Sequence, residues 1–209
     1  MARLKKAADY ISELCASESE NKRNLGETLK TLYEKWTKTL ALKDFLEFNE
    51  IIMANRTEIG KAQFFGKFRA YAFEEYIYRL LKEKIRLGRL EIFWAEKCLV
   101  WQENGEEYAI EFDISMGTKK GEFVDPTVVL DAKVELDSSR LKTAVASFAM
   151  LKQWKPEAKC AVVYIKRELD ASLLKLARNW ADGIFQLSLK NNETAAFLDF
   201  VAKCLSADC

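Results

Sequence analysis

Two charged residues interrupt what otherwise has the composition of a sheet interior. In "FVDPTVVLDAKVEL", residues 123 to 136, the apolar β-branched run carries Asp131 and Lys133 at its centre. Charges are almost never fully buried unless paired or bound to a metal, since desolvating an isolated carboxylate or ammonium costs several kcal/mol or more. Side chains alternate along a strand, so Val129, Asp131, Lys133 and Glu135 share one face while Val128, Leu130, Ala132, Val134 and Leu136 take the other. On the charged face the Cα atoms of Asp131 and Lys133 stand about 6.6 Å apart, close enough to reach one shared anion or metal. The preceding apolar run, "AIEFDIS", is interrupted in the same way by Asp113. If these two strands are neighbours, two carboxylates face each other, and they repel unless a divalent cation sits between them. An aspartate pair with its other positions open to water and phosphate oxygens suits Mg²⁺ or Mn²⁺. A lysine beside it would position the attacking water and stabilise charge developing on a phosphorus oxygen. An edge strand with a solvated or salt-bridged charged face is the other reading of the same residues.

The absence of histidine narrows the chemistry. It excludes Ser-His-Asp and Cys-His mechanisms, His-ligated zinc and any nuclease with a histidine base. Carboxylates, lysine, tyrosine or a hard metal ion must do the work. The five cysteines are scattered, with no C-x-x-C pair, so buried thiols are expected in place of a zinc site or a disulfide framework.

The elements that must position these residues are legible from periodicity. Residues 1–60 read as helical: Leu4, Ala7, Ala8, Ile11 and Leu14 form one amphipathic stripe, "ASESENKRNLG" reads as a polar break, and helical spacing resumes from Leu29 to Ile52. This N-terminal segment is expected to be a cap or dimerisation element, with residues 61–209 forming the main domain. A long helix is expected from about Lys61 to Leu87, ending near Gly88. Three β-rich runs follow, separated by turn signals at "ENGEE" and "MGTKKGE", which predicts a meander. Helix, strand, helix, short strand and helix complete an α/β domain with a mixed sheet, antiparallel first and crossing over later.

Here the chain resembles the PD-(D/E)XK nuclease superfamily, with its restriction-endonuclease-like and Holliday-junction-resolvase-like core. Its signature is an acidic residue on one strand, then Asp or Glu, any residue and Lys on the next; "EFDI" supplies Asp113, and "LDAK" supplies Asp131, Ala132 and Lys133. Members also carry a Glu on the helix before the meander, and Phe73-Glu74-Glu75-Tyr76-Ile77 through Leu80-Leu81 matches that spacing. The likeness spans roughly the last two-thirds of the chain and implies an α-β-β-β-α-β core. It implies a Mg²⁺-dependent DNA endonuclease in which Asp113, Asp131 and the Ala132 carbonyl hold the metal. Lys133 would assist the water, Glu74 would order it, and a 5′-phosphate would be left. Two departures stand beside it. Asp125-Pro126 lies on the same strand as Asp131, which makes Asp125 a poorer ligand than Asp113. Gln153 is followed four residues later by Glu157, where RecB-like exonucleases carry Tyr.

Net charge is only +1, so nucleic-acid binding would fall to local patches. Lys119 and Lys120 in the turn between the two acidic strands are candidate phosphate contacts, as is Arg140 at the start of the following helix, where Ser138 and Ser139 open an N-terminus suited to phosphate. A homodimer is expected, because cutting both strands takes a second active site. No apolar run is long enough to span a bilayer and no signal peptide is evident, so a cytoplasmic location without membrane contact is expected. The alternative function is a non-catalytic nucleic-acid-binding or assembly subunit that keeps the nuclease fold; a helical interaction protein with a small sheet is a third.

Overall fold

The computed structural model describes residues 6–206, so Leu4 of the first helical stripe and Cys209 lie outside the described residues. The chain divides into two compact units between Leu80 and Leu81.

The first unit is helical: α1 (Ala7–Cys15), α2 (Glu20–Thr39), α3 (Leu42–Ala54), α4 (Arg56–Ile59) and most of α5 (Ala62–Lys84). Its core is aromatic. Tyr10 stacks on Phe68 with centroids 5.0 Å apart, Phe45 stacks on Tyr76 at 4.6 Å, and Trp36 meets Phe45 edge-on at 5.5 Å. Phe68, Phe73 and Tyr76 come from α5, which is why packing divides the chain at residue 80, whereas composition changes at residue 60. Glu75 is buried and paid in hydrogen bonds: Tyr33 Oη donates at 2.7 Å, Arg79 pairs at 2.8 Å and the Ala7 N–H donates at 3.2 Å. The expected polar break is shorter than its composition suggests. "ENKRNLG" belongs to α2, and only Ala16–Ser19 stay outside a helix, because the polar residues of that turn form its solvated face.

The second unit holds a five-stranded sheet in the order β1 (Glu91–Glu103), β2 (Glu106–Lys120), β3 (Phe123–Asp137), β4 (Lys159–Glu168), β5 (Gly183–Gln186). The first three strands are antiparallel neighbours, and β3–β4 and β4–β5 are parallel. Parallel neighbours require crossovers, supplied by α6 (Ser138–Trp154) and α7 (Ala171–Ala177), and α8 (Thr194–Ser206) closes the chain. The expected α/β architecture with a mixed sheet and the α-β-β-β-α-β order are thus present. Val162, Ile184 and Phe148 of α6 share one core cluster, while Phe185, the next residue on β5, meets Phe197 of α8 at 5.6 Å. Alternation therefore puts α6 and α8 on opposite faces of the sheet. Along β3 the even positions from Leu130 to Leu136 are buried and the odd ones from Asp131 to Asp137 are half-buried. β1 also touches β3 in parallel at Cys98 opposite Val124, so the meander curls back on itself. Among the described residues the four cysteines are free thiols, and no helix is long and apolar enough to cross a membrane.

Candidate active site

The site forms where β2 leaves β3. Their ladder ends at Ile114 opposite Leu130, while β3 continues beside β4 as far as Asp137 opposite Glu168. One step beyond the last β2–β3 pair stand Asp113 and Asp131, as the two interrupted runs require. In the gap the Asp113 carboxylate takes over from the lost ladder: its Oδ2 accepts the Ala132 N–H at 2.7 Å. Lys133 Nζ lies 3.0 Å from the same Oδ2 and 2.8 Å from Asp131 Oδ1. One ammonium thus bridges two carboxylates, and all three side chains are about a quarter exposed or less: 26% for Lys133, 24% for Asp113, 17% for Asp131.

The electrostatics follow from that burial. Desolvation and, after it, the neighbouring Asp113 charge push the Asp131 carboxyl up to about 6, with Lys133 only partly opposing them. Burial alone would lower the Lys133 ammonium, but Asp131 and then Asp113 outweigh it and hold it above the ordinary lysine range. Lys133 is therefore a cation and hydrogen-bond donor at neutral pH, not a base.

The oxygen donors suit a hard divalent cation. Asp131 Oδ1 is buried and, although in ion-pair range of Lys133, makes no well-directed hydrogen bond. In a strand the N–H and C=O of one residue point to the same edge, so the Ala132 carbonyl faces the side on which Asp113 meets the Ala132 N–H. Among the described residues no group of three or more acidic or cysteine side chains could hold a metal. The candidate ligands are accordingly two carboxylates and a backbone carbonyl, a set that Mg²⁺ completes with water and substrate oxygens.

The other expected residues are placed as follows. Glu74 is buried on α5 in the first unit, next to Glu75. Lys119 is ion-paired with Glu96 at 2.7 Å and lies over the Phe93 ring. Lys120 is paired with Asp125 at 2.6 Å. Six or seven residues along β2 separate these lysines from Asp113, about 20 Å on an extended strand. Arg140 donates to the Glu135 carbonyl at 2.9 Å and pairs with Asp137 at 3.3 Å, while its own N–H is accepted by the Asp137 carboxylate that caps α6.

Three further residues belong to the surroundings. Glu135 follows Lys133 on the same face, with its side chain 23% exposed; alternation had already placed it there without a role. Tyr164 of β4 lies opposite Lys133 and is buried, which pushes its phenol up. Ala95 of β1 stands opposite Asp113, between the pairs Trp94–Ile114 and Glu96–Phe112, in the left-handed conformation at φ 52°. A non-glycine residue there stores strain of order 1–3 kcal/mol, and nothing in an alanine signals it.

No protein-family model matches the chain, and no curated protein matches it in sequence. Solved structures match it in fold. Restriction endonucleases are among them. The PspGI restriction endonuclease in complex with substrate DNA is 14% identical, with a TM-score of 0.47 over 88% of this chain and 77% of that one. The native BbvCI A2B2 tetramer is 13% identical, with a TM-score of 0.48 over 82% and 75%. The small subunit of the heterodimeric restriction endonuclease R.BspD6I is 14% identical, with a TM-score of 0.36 over 70% and 72%.

Proposed function

We propose that the protein is a Mg²⁺- or Mn²⁺-dependent DNA endonuclease that hydrolyses a phosphodiester bond and leaves a 5′-phosphate. The observation that carries this reading is Lys133 Nζ bridging Asp113 and Asp131 at 3.0 and 2.8 Å, at the point where two strands part. Asp113, Asp131 and the Ala132 carbonyl are the residues that would hold the cation, which when bound would neutralise phosphate charge and make water a better nucleophile. Their arrangement is rigid. Asp113 is fixed by the Ala132 N–H, and Asp131 and Lys133 by a strand paired on its other edge. With a bound cation balancing the charge of Asp113 and Asp131, the Lys133 ammonium would be able to donate to a non-bridging phosphate oxygen or to orient water at the phosphorus. Preorganised donors of this kind are worth about 10²–10³ in rate. Water adds to phosphorus, the 3′-oxygen departs with a proton, and the phosphate stays on the 5′ side.

Glu74 is assigned to the water by family resemblance, and Glu74→Gln tests that assignment through activity. Lys119 and Arg140 are proposed to meet phosphates by exchanging their internal carboxylate partners for DNA. A homodimer is proposed because each chain carries one such site.

The test is incubation of the full chain with supercoiled plasmid, a synthetic four-way junction and single-stranded DNA, in Mg²⁺, Mn²⁺ or EDTA, with end-group analysis of the products. Metal-dependent cutting that leaves 5′-phosphates is expected. DNA binding without cleavage of any substrate would instead identify a non-catalytic subunit.

A further inference from the structure

Four large apolar side chains are exposed together on the second unit, away from the aspartates: Trp101 (41% exposed) on β1, Tyr108 (56%) on β2, and Met150 (39%) and Trp154 (44%) on α6. They line one depression of about 400 Å³. Tryptophan, tyrosine and methionine, with no charge among them, are what the centre of a protein interface is made of, and an exposed cluster of this kind marks a contact surface.

The two sides of this patch differ in charge. Glu103 and Glu106 are the cross-strand pair two steps beyond Trp101–Tyr108, past Gln102–Glu107, so they share its face. Like charges placed directly opposite each other destabilise a hairpin, and these two are held there by the tight Asn104-Gly105 turn, with φ of 50° and 84°. On the other side, a second depression of about 190 Å³ shares Trp154 and is lined by Lys120, Lys155 and Asp125. Asp125 serves both lysines. Lys120, 71% exposed, therefore keeps donors that point outward. The curl of the meander, with Cys98 opposite Val124 and Val124 paired with Lys119, sets Trp101 and Tyr108 of one hairpin and Lys120 of the other on either side of Trp154 in the last turn of α6.

We infer that this face is the contact between two copies of the chain, packed about a two-fold axis at Trp154 so that the Glu103–Glu106 tip of each copy meets Lys120 of the other. An aromatic centre flanked by an acidic end and a basic end is complementary to itself under that operation, as an isologous interface requires. The inference gives a surface to the homodimer proposed above and rests on that part of the reading.

Sedimentation velocity of the full chain over a range of concentrations tests it. Wild type is expected to dimerise, and Trp154→Ala to weaken the dimer roughly thirtyfold or more, as loss of a central tryptophan does. Glu103→Lys with Glu106→Lys should also weaken it, and adding Lys120→Glu to those two should restore it, which no purely structural effect of the surface charges would do. A wild type that stays monomeric at high concentration, or a dimer indifferent to these substitutions, overturns the inference. Plasmid cleavage is scored separately: a cutting monomer removes only the interface, and a charge-swappable dimer that never cuts removes only the nuclease.

Discussion

Asp131 carries its charge in a setting that opposes it, and this should appear in how stability depends on pH. Its carboxyl is pushed up to about 6 by burial and by Asp113, against about 3.9 for an unfolded aspartate. The folded state thus holds this proton more tightly than the unfolded chain. The resulting stability is complete below about pH 4 and is lost as pH rises through about 6. At about 1.4 kcal/mol per pH unit the loss amounts to at most about 3 kcal/mol. Asp131→Asn should flatten this part of the curve, measured by urea unfolding in EDTA between pH 4 and 7; an unchanged slope would show that Asp131 is not the titrating group. Lys133 does not contribute in this window, because its pKa is raised and its ion pairs persist to alkaline pH.

At the scale of elements, the site depends on β2 and β3 being tightly joined below it and parted above it. The joined half contains a close approach: a Cβ on Gly117 would run into the Asp125 carbonyl, beside the irregularity where Met116 pairs with Val128 but Gly117 with Pro126. Gly117→Ala should cost about 1–3 kcal/mol, read as a lower urea midpoint with an unchanged slope; wild-type stability would mean that the strands can spread there freely. Much of this architecture was legible. The alternation Leu130, Ala132, Val134, Leu136 against Asp131, Lys133, Glu135 places the charges on one face, and "ENGEE" marks the turn between Glu103 and Glu106. The pairing of Asp113 with Asp131 followed from the meander. Other features depend on tertiary contact and leave no local trace. The left-handed backbone at Ala95 carries no glycine or asparagine to announce it. The carboxylates that occupy Lys119 and Lys120 come from Glu96, 23 residues away in sequence, and from a neighbouring strand. "ENKRNLG" misleads because a solvated helical face is as polar as a loop.

Across the whole molecule, a net charge of +1 provides no long-range attraction for DNA, so the proposed binding would have to come from local groups now held in ion pairs. In the proposed reading the exposed aromatic face on the second unit would serve assembly and the aspartates with Lys133 would serve chemistry, so mutation should separate the two. The most direct test of the central claim is the rate of Mg²⁺-dependent plasmid cleavage by the full chain compared with Lys133→Ala and Asp131→Ala, each shown by circular dichroism to be folded. The account predicts cleavage by the wild type, abolished by EDTA and reduced about 10²-fold or more in both variants. Equal cleavage by all three folded proteins would contradict it, because the Asp113–Lys133–Asp131 cluster would then have no part in the reaction.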